Sequence, residues 1–145
     1  ILKTTRERIL DLLNNYDSET LNRIPAGYKN NLIWNAGHCL ATQNLLTYGL
    51  SQVPFYTDSS IIDLFRKGTS PNGNVDRLII DQVKTDLLKS PEHLLQAFNN
   101  NEFNSFTAYK TSYGFNLNSI KEAILFNSTH EALHLGYMMA MRKSL

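Results

Sequence analysis

Two segments in the first third of the chain repeat apolar residues at helical spacing, which puts these residues on one side of a helix. In residues 2–22 they are Ile9, Leu12, Leu13, Tyr16 and Leu21. In residues 32–50 they are Trp34, Ala41, Leu45 and Tyr48, and His38 lies on the same side of the helix. Pro25 and Gly27 stand between the two segments and mark a connection. The pattern predicts two helices, with His38 on the inward side of the second.

The middle of the chain predicts a short helical turn and then a longer helix. The turn covers residues 61–66, and the longer helix begins near Asp76 and continues to about Phe98. Ser90 and Pro91 interrupt it, because serine is a common N-cap and proline is favoured in the first turn of a helix. We therefore expect this helix to be broken or kinked at Pro91.

The C-terminal third predicts one long loop followed by one long helix. Residues 103–117 alternate aromatic and small polar residues without a helical period, so we expect a loop that packs over one end of the molecule. Asn118 or Ser119 caps the last helix, which runs to about Lys143. Its predicted inner face carries Ile120, Ala123, Asn127, His130, His134, Met138 and Met141. Four long helices and almost no strand predict a single all-α domain over residues 1–145, built as a four-helix bundle.

Composition and charge exclude several classes of function. Hydrophobic residues make up 42% of the chain and charged residues 19%, as in an ordinary globular protein. Fourteen basic and thirteen acidic residues give a net charge of +1 without a basic stripe, which argues against a nucleic-acid partner. No apolar run approaches the roughly 18 residues of a membrane span. The single cysteine, Cys39, and the lack of a signal-peptide pattern predict a reducing, cytoplasmic location.

Three histidines are the strongest chemical signal in the sequence. His130 and His134 are four residues apart, so on a helix they lie on one face and can bind the same metal ion. His38, on the inward side of another helix, is the third candidate ligand. A single inward histidine is usually a hydrogen-bonded core residue. Two buried histidines at this spacing need two separate sets of hydrogen-bond partners, whereas one metal ion can bind both rings. We predict a three-histidine metal site with open coordination positions.

Glu131 lies inside the same segment and leaves alternatives open. His130-Glu131-Ala132-Leu133-His134 matches the zinc-peptidase pattern in which the glutamate is the general base. That interpretation is weak here, because no histidine, aspartate or glutamate follows His134 to act as the third ligand. Glu131 is instead a candidate proton-transfer or catalytic residue beside the metal, or a solvated or interface charge. Asn127, one turn before His130, either orients a ligand or makes a contact between helices.

Several motifs together resemble the DinB-like family of metal-binding four-helix bundles. They are Trp34-Asn35-Ala36-Gly37-His38, Tyr113-Gly114-Phe115-Asn116-Leu117-Asn118, the stretch from His130 to Gly136, and Arg142 near the end. The order and separation of the three histidines fit this family over almost the whole chain. The resemblance implies an up-down-down-up arrangement of the helices, with a long loop before the last one.

The resemblance also implies a ligand set and a class of chemistry. His38 is the expected ligand from the second helix, and His130 and His134 the expected pair from the fourth. The implied metal is divalent, nickel or zinc first, with iron or manganese as alternatives. Some relatives are S-transferases that use low-molecular-weight thiols such as bacillithiol or mycothiol, and homodimers are common. The expected partners are therefore a small-molecule substrate or thiol and a second copy of the chain.

Two functional hypotheses follow from these observations. The first is a metal-dependent enzyme of hydrolase or thiol S-transferase type, in which the ion lowers the pKa of bound water or of a thiol. The second is a non-catalytic bundle that holds metal for stability or binds a small molecule; a site that has lost its metal is a further alternative. A deep, open cleft beside the histidines favours the enzyme, whereas closure of that space by Met138 or Trp34 favours the non-catalytic protein.

Overall fold

Six α-helices and one two-stranded sheet account for most of the regular structure in the computed structural model, which describes residues 1–145. The helices are α1 (Leu2–Asn14), α2 (Ser18–Asn22), α3 (Leu32–Asn44), α4 (Ser59–Phe65), α5 (Arg77–Asn99) and α6 (Ile120–Met141). A π-helical turn, Leu45–Gly49, continues α3, and a 3₁₀ turn, Arg142–Ser144, follows α6. The all-α prediction is confirmed.

The first predicted helix is in fact two helices. Its apolar spacing is correct, and Ile9, Leu13 and Leu21 are all buried, but α1 ends at Asn14. Asp17 then starts α2, because its carboxylate accepts a hydrogen bond from the backbone N–H of Thr20 at 2.8 Å. A single helix over residues 2–22 was therefore wrong: the cap at Asp17 competes with continuation of the helix.

The helix that contains Pro91 is continuous, so the predicted break is wrong, whereas a kink at Pro91 stays a prediction. Helix α5 runs continuously from Arg77 to Asn99. A proline removes the N–H that would otherwise bond to the carbonyl four residues earlier, here Leu87. Arg6 compensates, because its guanidinium donates to the Leu87 carbonyl at 3.4 Å and also bonds to the Ser90 hydroxyl. The sequence pattern around Pro91 does not reveal this partner, because Arg6 is 81 positions away from Leu87.

The predicted loop before the last helix contains a small antiparallel hairpin. Strand β1 (Tyr109–Lys110) pairs with strand β2 (Asn116–Leu117), with Tyr109 opposite Leu117. The loop is anchored to the helices, because Thr107 donates its N–H to the Leu50 carbonyl at 2.7 Å. Helix α6 begins as expected, with Ser119 as the N-cap that accepts from the N–H of Glu122.

The four long helices pack on one another around one large apolar core. Helix α1 contacts α5 and α6, and α3 contacts the same two helices. The core includes Leu40, Phe65, Leu87 and Met138 from four different helices. The up-down-down-up order of a four-helix bundle stays a prediction. None of the helices is long and apolar enough to cross a membrane.

A buried ion pair lies within this core and contacts all four long helices. Arg6 of α1 and Glu131 of α6 are 1% and 0% exposed, and two hydrogen bonds of 2.9 and 2.6 Å join the guanidinium to the carboxylate. The same guanidinium donates to Gln43 of α3, and Asn127 donates to Glu131 at 2.7 Å. The contacts of Arg6 to α5 complete the set. A charge buried without its partner is strongly unfavourable, so the two residues depend on each other.

We expect Glu131→Gln to lower the free energy of unfolding by about 3 kcal/mol or more, because the Arg6 guanidinium stays buried without a counter-charge. The measurement is urea denaturation followed by circular dichroism. Asp81→Asn is the matched control: it breaks the exposed Arg77–Asp81 pair, which contributes about 1 kcal/mol or less. Equal stability of Glu131→Gln and the wild-type protein would contradict a structural role for the pair.

Candidate metal centre

The three predicted histidines lie together at the contact between α3 and α6. Their ring centroids are 5.3 Å apart for His38 and His130, 5.0 Å for His38 and His134, and 4.5 Å for His130 and His134. One ring nitrogen from each lies within 4.8 Å of the other two. Nitrogens bound to one tetrahedral zinc lie about 3.4 Å apart, so shortening the nitrogen–nitrogen distances by at most about 1.4 Å brings all three onto an ion.

His38 is oriented by the end of helix α4. Its Nδ1 lies 2.7 Å from the Phe65 carbonyl, which can only accept, so Nδ1 carries the proton and Nε2 presents the lone pair. The close approach of α3 and α4 depends on Gly37, since a Cβ at this position would overlap the Phe65 ring. The glycine in the Trp34–His38 motif thus has a physical reason: it lets the carbonyl reach His38.

His134 is oriented by Asn35 of α3. The amide nitrogen of Asn35 donates to Asn30 Oδ1 at 2.9 Å and to the Asn31 carbonyl at 2.8 Å. Its oxygen must therefore face His134, whose Nδ1 lies 2.9 Å away. The His134 Nδ1 is the donor in this bond, which leaves Nε2 free for a metal. Histidine ligands in metal sites are usually held in this way.

His130 differs from the other two histidines because its Nδ1 is buried without a hydrogen-bond partner. Buried polar atoms in native proteins nearly always have a partner. No acceptor in the protein lies within hydrogen-bond distance of this atom, and the ring of Phe126 packs on the same imidazole with its centroid 6.2 Å away. An ion shared with His38 and His134 gives this histidine a partner.

The electrostatic setting keeps the imidazoles neutral. Burial, and to a smaller extent the neighbouring His134 and His38, lower the pKa of His130 to about 3. Burial, and to a smaller extent His38, lower the pKa of His134 to about 4. Burial also lowers the pKa of His38. The hydrogen bond to the Phe65 carbonyl raises this pKa in part, and the positive charge of Lys67 lowers it again. Neutral imidazole is the form that binds metal ions.

A cavity of about 500 Å³ opens beside His38 and His130. Trp34 does not close it: the indole stacks on the His38 ring, with centroids 4.7 Å apart and planes 8° from parallel. Met138 is fully buried in the core and is absent from the lining. His134 faces a second, shallower opening beside Asn35 and Tyr137. The three histidines are thus reachable from outside.

Glu131 lies outside this cluster. Both of its carboxylate oxygens accept hydrogen bonds within the core, from Arg6 and Asn127. A fully buried carboxylate paired with arginine is not a solvated charge and is poorly suited to accept a proton at the histidines. The peptidase interpretation of His130–His134 loses its general base for the same reason. Asn127 orients Glu131 rather than a metal ligand.

Sequence reasoning missed the residues that orient the histidines. Asn35 belongs to the Trp34–His38 motif, but its hydrogen bond to His134 joins residues 99 positions apart in the sequence. The Phe65 carbonyl is a backbone atom, and no residue type identifies it. Lys67 follows α4 and lines the cavity, and nothing in the sequence except its charge marks it as a residue of the site.

Comparison with known protein families gives a match over most of the chain. Residues 1–138 match the family model described as the DinB superfamily. This match spans nearly all of the 145 residues, and the chain belongs to the DinB superfamily. No curated protein matches the chain.

We expect Asn35→Ala to weaken zinc binding by about 10- to 100-fold, because the His134 ring loses the acceptor that orients it. Competition with a chromogenic chelator gives the affinity. Asn30→Ala is the matched control, since it removes a partner of Asn35 and leaves the bond to His134 in place. Equal zinc affinities of Asn35→Ala and Asn30→Ala would show that Asn35 does not orient a ligand.

Proposed function

We propose that this DinB-superfamily chain is a metal-dependent enzyme of hydrolase or thiol S-transferase type. The observation that supports this most directly is the convergence of three neutral histidine side chains beside an open cavity. Two of them are oriented by their Nδ1 bonds, to the Phe65 carbonyl and to Asn35, so that each Nε2 carries a lone pair for a metal. The weakly held Thr42 hydroxyl, 3.3 Å from His38 Nε2, is the group that an ion would displace. Three imidazoles have the donor type and number of a catalytic metal site.

The residues present fit a divalent transition metal. The proposed ligands are His38, His130 and His134, and nickel or zinc suits three imidazoles best, with iron or manganese as alternatives. The partnerless Nδ1 of His130 supports a bound group at this place. When bound, the metal supplies a positive charge that lowers the pKa of water or of a low-molecular-weight thiol and makes it a nucleophile at neutral pH.

The protein's own contribution is orientation and a partly enclosed space. Phe65 and Asn35 hold two of the rings, and the Arg6–Glu131 pair holds the helix that carries His130 and His134. We propose this structural role for Glu131 in place of a catalytic one. The open cavity beside His38 and His130 favours an enzyme over a non-catalytic bundle, because a purely structural metal site is normally closed.

The test compares turnover of metal-loaded and metal-stripped protein on model esters and on a thiol with an electrophilic chloroarene. We expect activity only in the loaded protein and a loss of about 100-fold or more in kcat/KM for His134→Ala, because an incomplete ligand set holds the metal weakly. His93→Ala is the matched control; His93 is exposed and stacks on Tyr56. Equal turnover in the loaded, stripped and His134→Ala proteins contradicts the proposal.

We further propose that two copies of the chain pair through the outer face of α6. Between residues 123 and 141 the only charged residue is Glu131, which is buried, so the exposed side of the helix is uncharged. Leu125 and Leu133 on this side are 71% and 52% exposed. Gly136 has no neighbour within 4 Å of a Cβ placed on it, so space for another helix remains there. A long apolar face of this kind is typical of an interface.

The cytoplasmic location stays a prediction.

We expect light scattering at micromolar concentration to give twice the mass of the 16.5 kDa chain. Ala132→Glu should shift the protein to the monomer, because it places a charge in the centre of the proposed interface. Leu78→Glu is the control, since Leu78 on α5 is 79% exposed and lies away from α6. A monomeric wild-type protein, or a dimer that tolerates Ala132→Glu, contradicts this interface.

A further inference from the structure

The cavity beside the histidines is apolar along most of its length and charged at one place. Leu45, Leu46 and Leu50 line one wall, and Phe126 of α6 lines another. Lys67 is the only lining residue with a formal charge, and no carboxylate lines the cavity. Lys67 also makes no ion pair elsewhere in the protein. The cavity therefore has an uncompensated positive charge.

The charge and the apolar wall lie at different ends. Lys67 comes two residues after Phe65, whose carbonyl lies 2.7 Å from His38 Nδ1, and it lines the same cavity as His38, which puts the charge at the histidine end. The apolar wall begins at Leu45, seven residues after His38 and so about 10 Å along the axis of α3 at roughly 1.5 Å per residue, and it extends from there to Leu50. A ligand that satisfies both ends has an anionic head and an apolar tail.

The backbone of this wall is unusual. Leu45–Gly49 form the π-helical turn, and three of the lining residues come from it. Such turns are rare and occur frequently at functional sites. Residues of the hairpin also line the cavity, where Tyr109, Thr111 and Ser112 add polar groups. The cavity volume of about 500 Å³ lies in the range of small-molecule sites, roughly 300–1,000 Å³.

We propose that this cavity binds a monocarboxylate with an extended apolar chain, with the carboxylate at Lys67 and the chain along Leu45, Leu46, Leu50 and Phe126. This binding site deepens the proposed function, on which it rests, by naming the substrate class that occupies the space beside the histidines. The carboxylate pairs with the free ammonium, and the apolar chain leaves water. Small hydrophilic anions satisfy only the first of these conditions.

The test is calorimetric titration of metal-free protein with butanoate, hexanoate and octanoate. Because each buried methylene contributes roughly the same free energy, we expect the affinity to rise about fourfold per methylene. Octanol, which has the tail without the charge, should bind less tightly than octanoate, and succinate should bind less tightly still. Succinate binding as tightly as octanoate overturns the proposal, and so does the absence of saturable octanoate binding.

Two variants locate the carboxylate. Lys67→Gln should weaken octanoate binding about three- to fivefold and remove its advantage over octanol, as expected for a partly exposed ion pair. Lys3→Gln removes the same charge from exposed α1, which does not line the cavity, and should change nothing. Both residues are exposed, and urea denaturation checks that both variants are folded. Equal octanoate affinity in Lys67→Gln and Lys3→Gln contradicts the assigned position of the carboxylate.

Metal content measured on the same samples separates this site from the proposed function. Stoichiometric metal without octanoate binding overturns the carboxylate site and leaves the metal centre intact. Octanoate binding in a protein that takes up no metal has the opposite meaning: the cavity has its ligand, and the proposed enzyme is contradicted.

Discussion

The buried pair of Arg6 and Glu131 is the interaction on which the site depends. Helix α6 has apolar residues on almost every side: Met138 faces the core while Leu125 and Leu133 face outward. An apolar pattern of this kind does not define which side turns inward. The charge pair does, because Glu131 must stay beside Arg6 in the core. At about 100° per residue, His130 and His134 then fall on one flank of Glu131, the flank that faces α3.

On that flank the geometry is set by three local contacts. Gly37 allows α4 to approach α3, the Phe65 carbonyl orients His38, and the amide oxygen of Asn35 orients His134. The third ring, that of His130, has no partner inside the protein. Two of the three rings are thus oriented and the third has no partner. One ion shared by the three histidines would satisfy the ring nitrogens that have no strong partner within the protein. The open cavity beside His38 and His130 gives a small molecule access to the histidine cluster.

Much of this could be predicted from the sequence, and the failures have physical reasons. Helical spacing located the long helices, and the i, i+4 pair with His38 located the cluster. The break at Pro91 was wrong because Arg6, far away in the sequence, supplies the donor to Leu87 that proline removes. Glu131 was a candidate catalytic residue beside the metal, or a solvated or interface charge, because its neighbours are histidines, yet it lies about 60–100° around the helix from them and pairs with Arg6 in the core. Such long-range partners leave no local pattern.

The measurement that tests the central claim most directly is the metal content of tag-free protein by plasma mass spectrometry, beside a His38→Ala variant. We predict about one equivalent of a divalent transition metal per chain and its loss in the variant, because two histidines on one helix do not complete a ligand set. Metal retained by His38→Ala would contradict the site between α3 and α6. No metal in the wild-type protein, even after reconstitution with zinc or nickel, would contradict the metal centre itself.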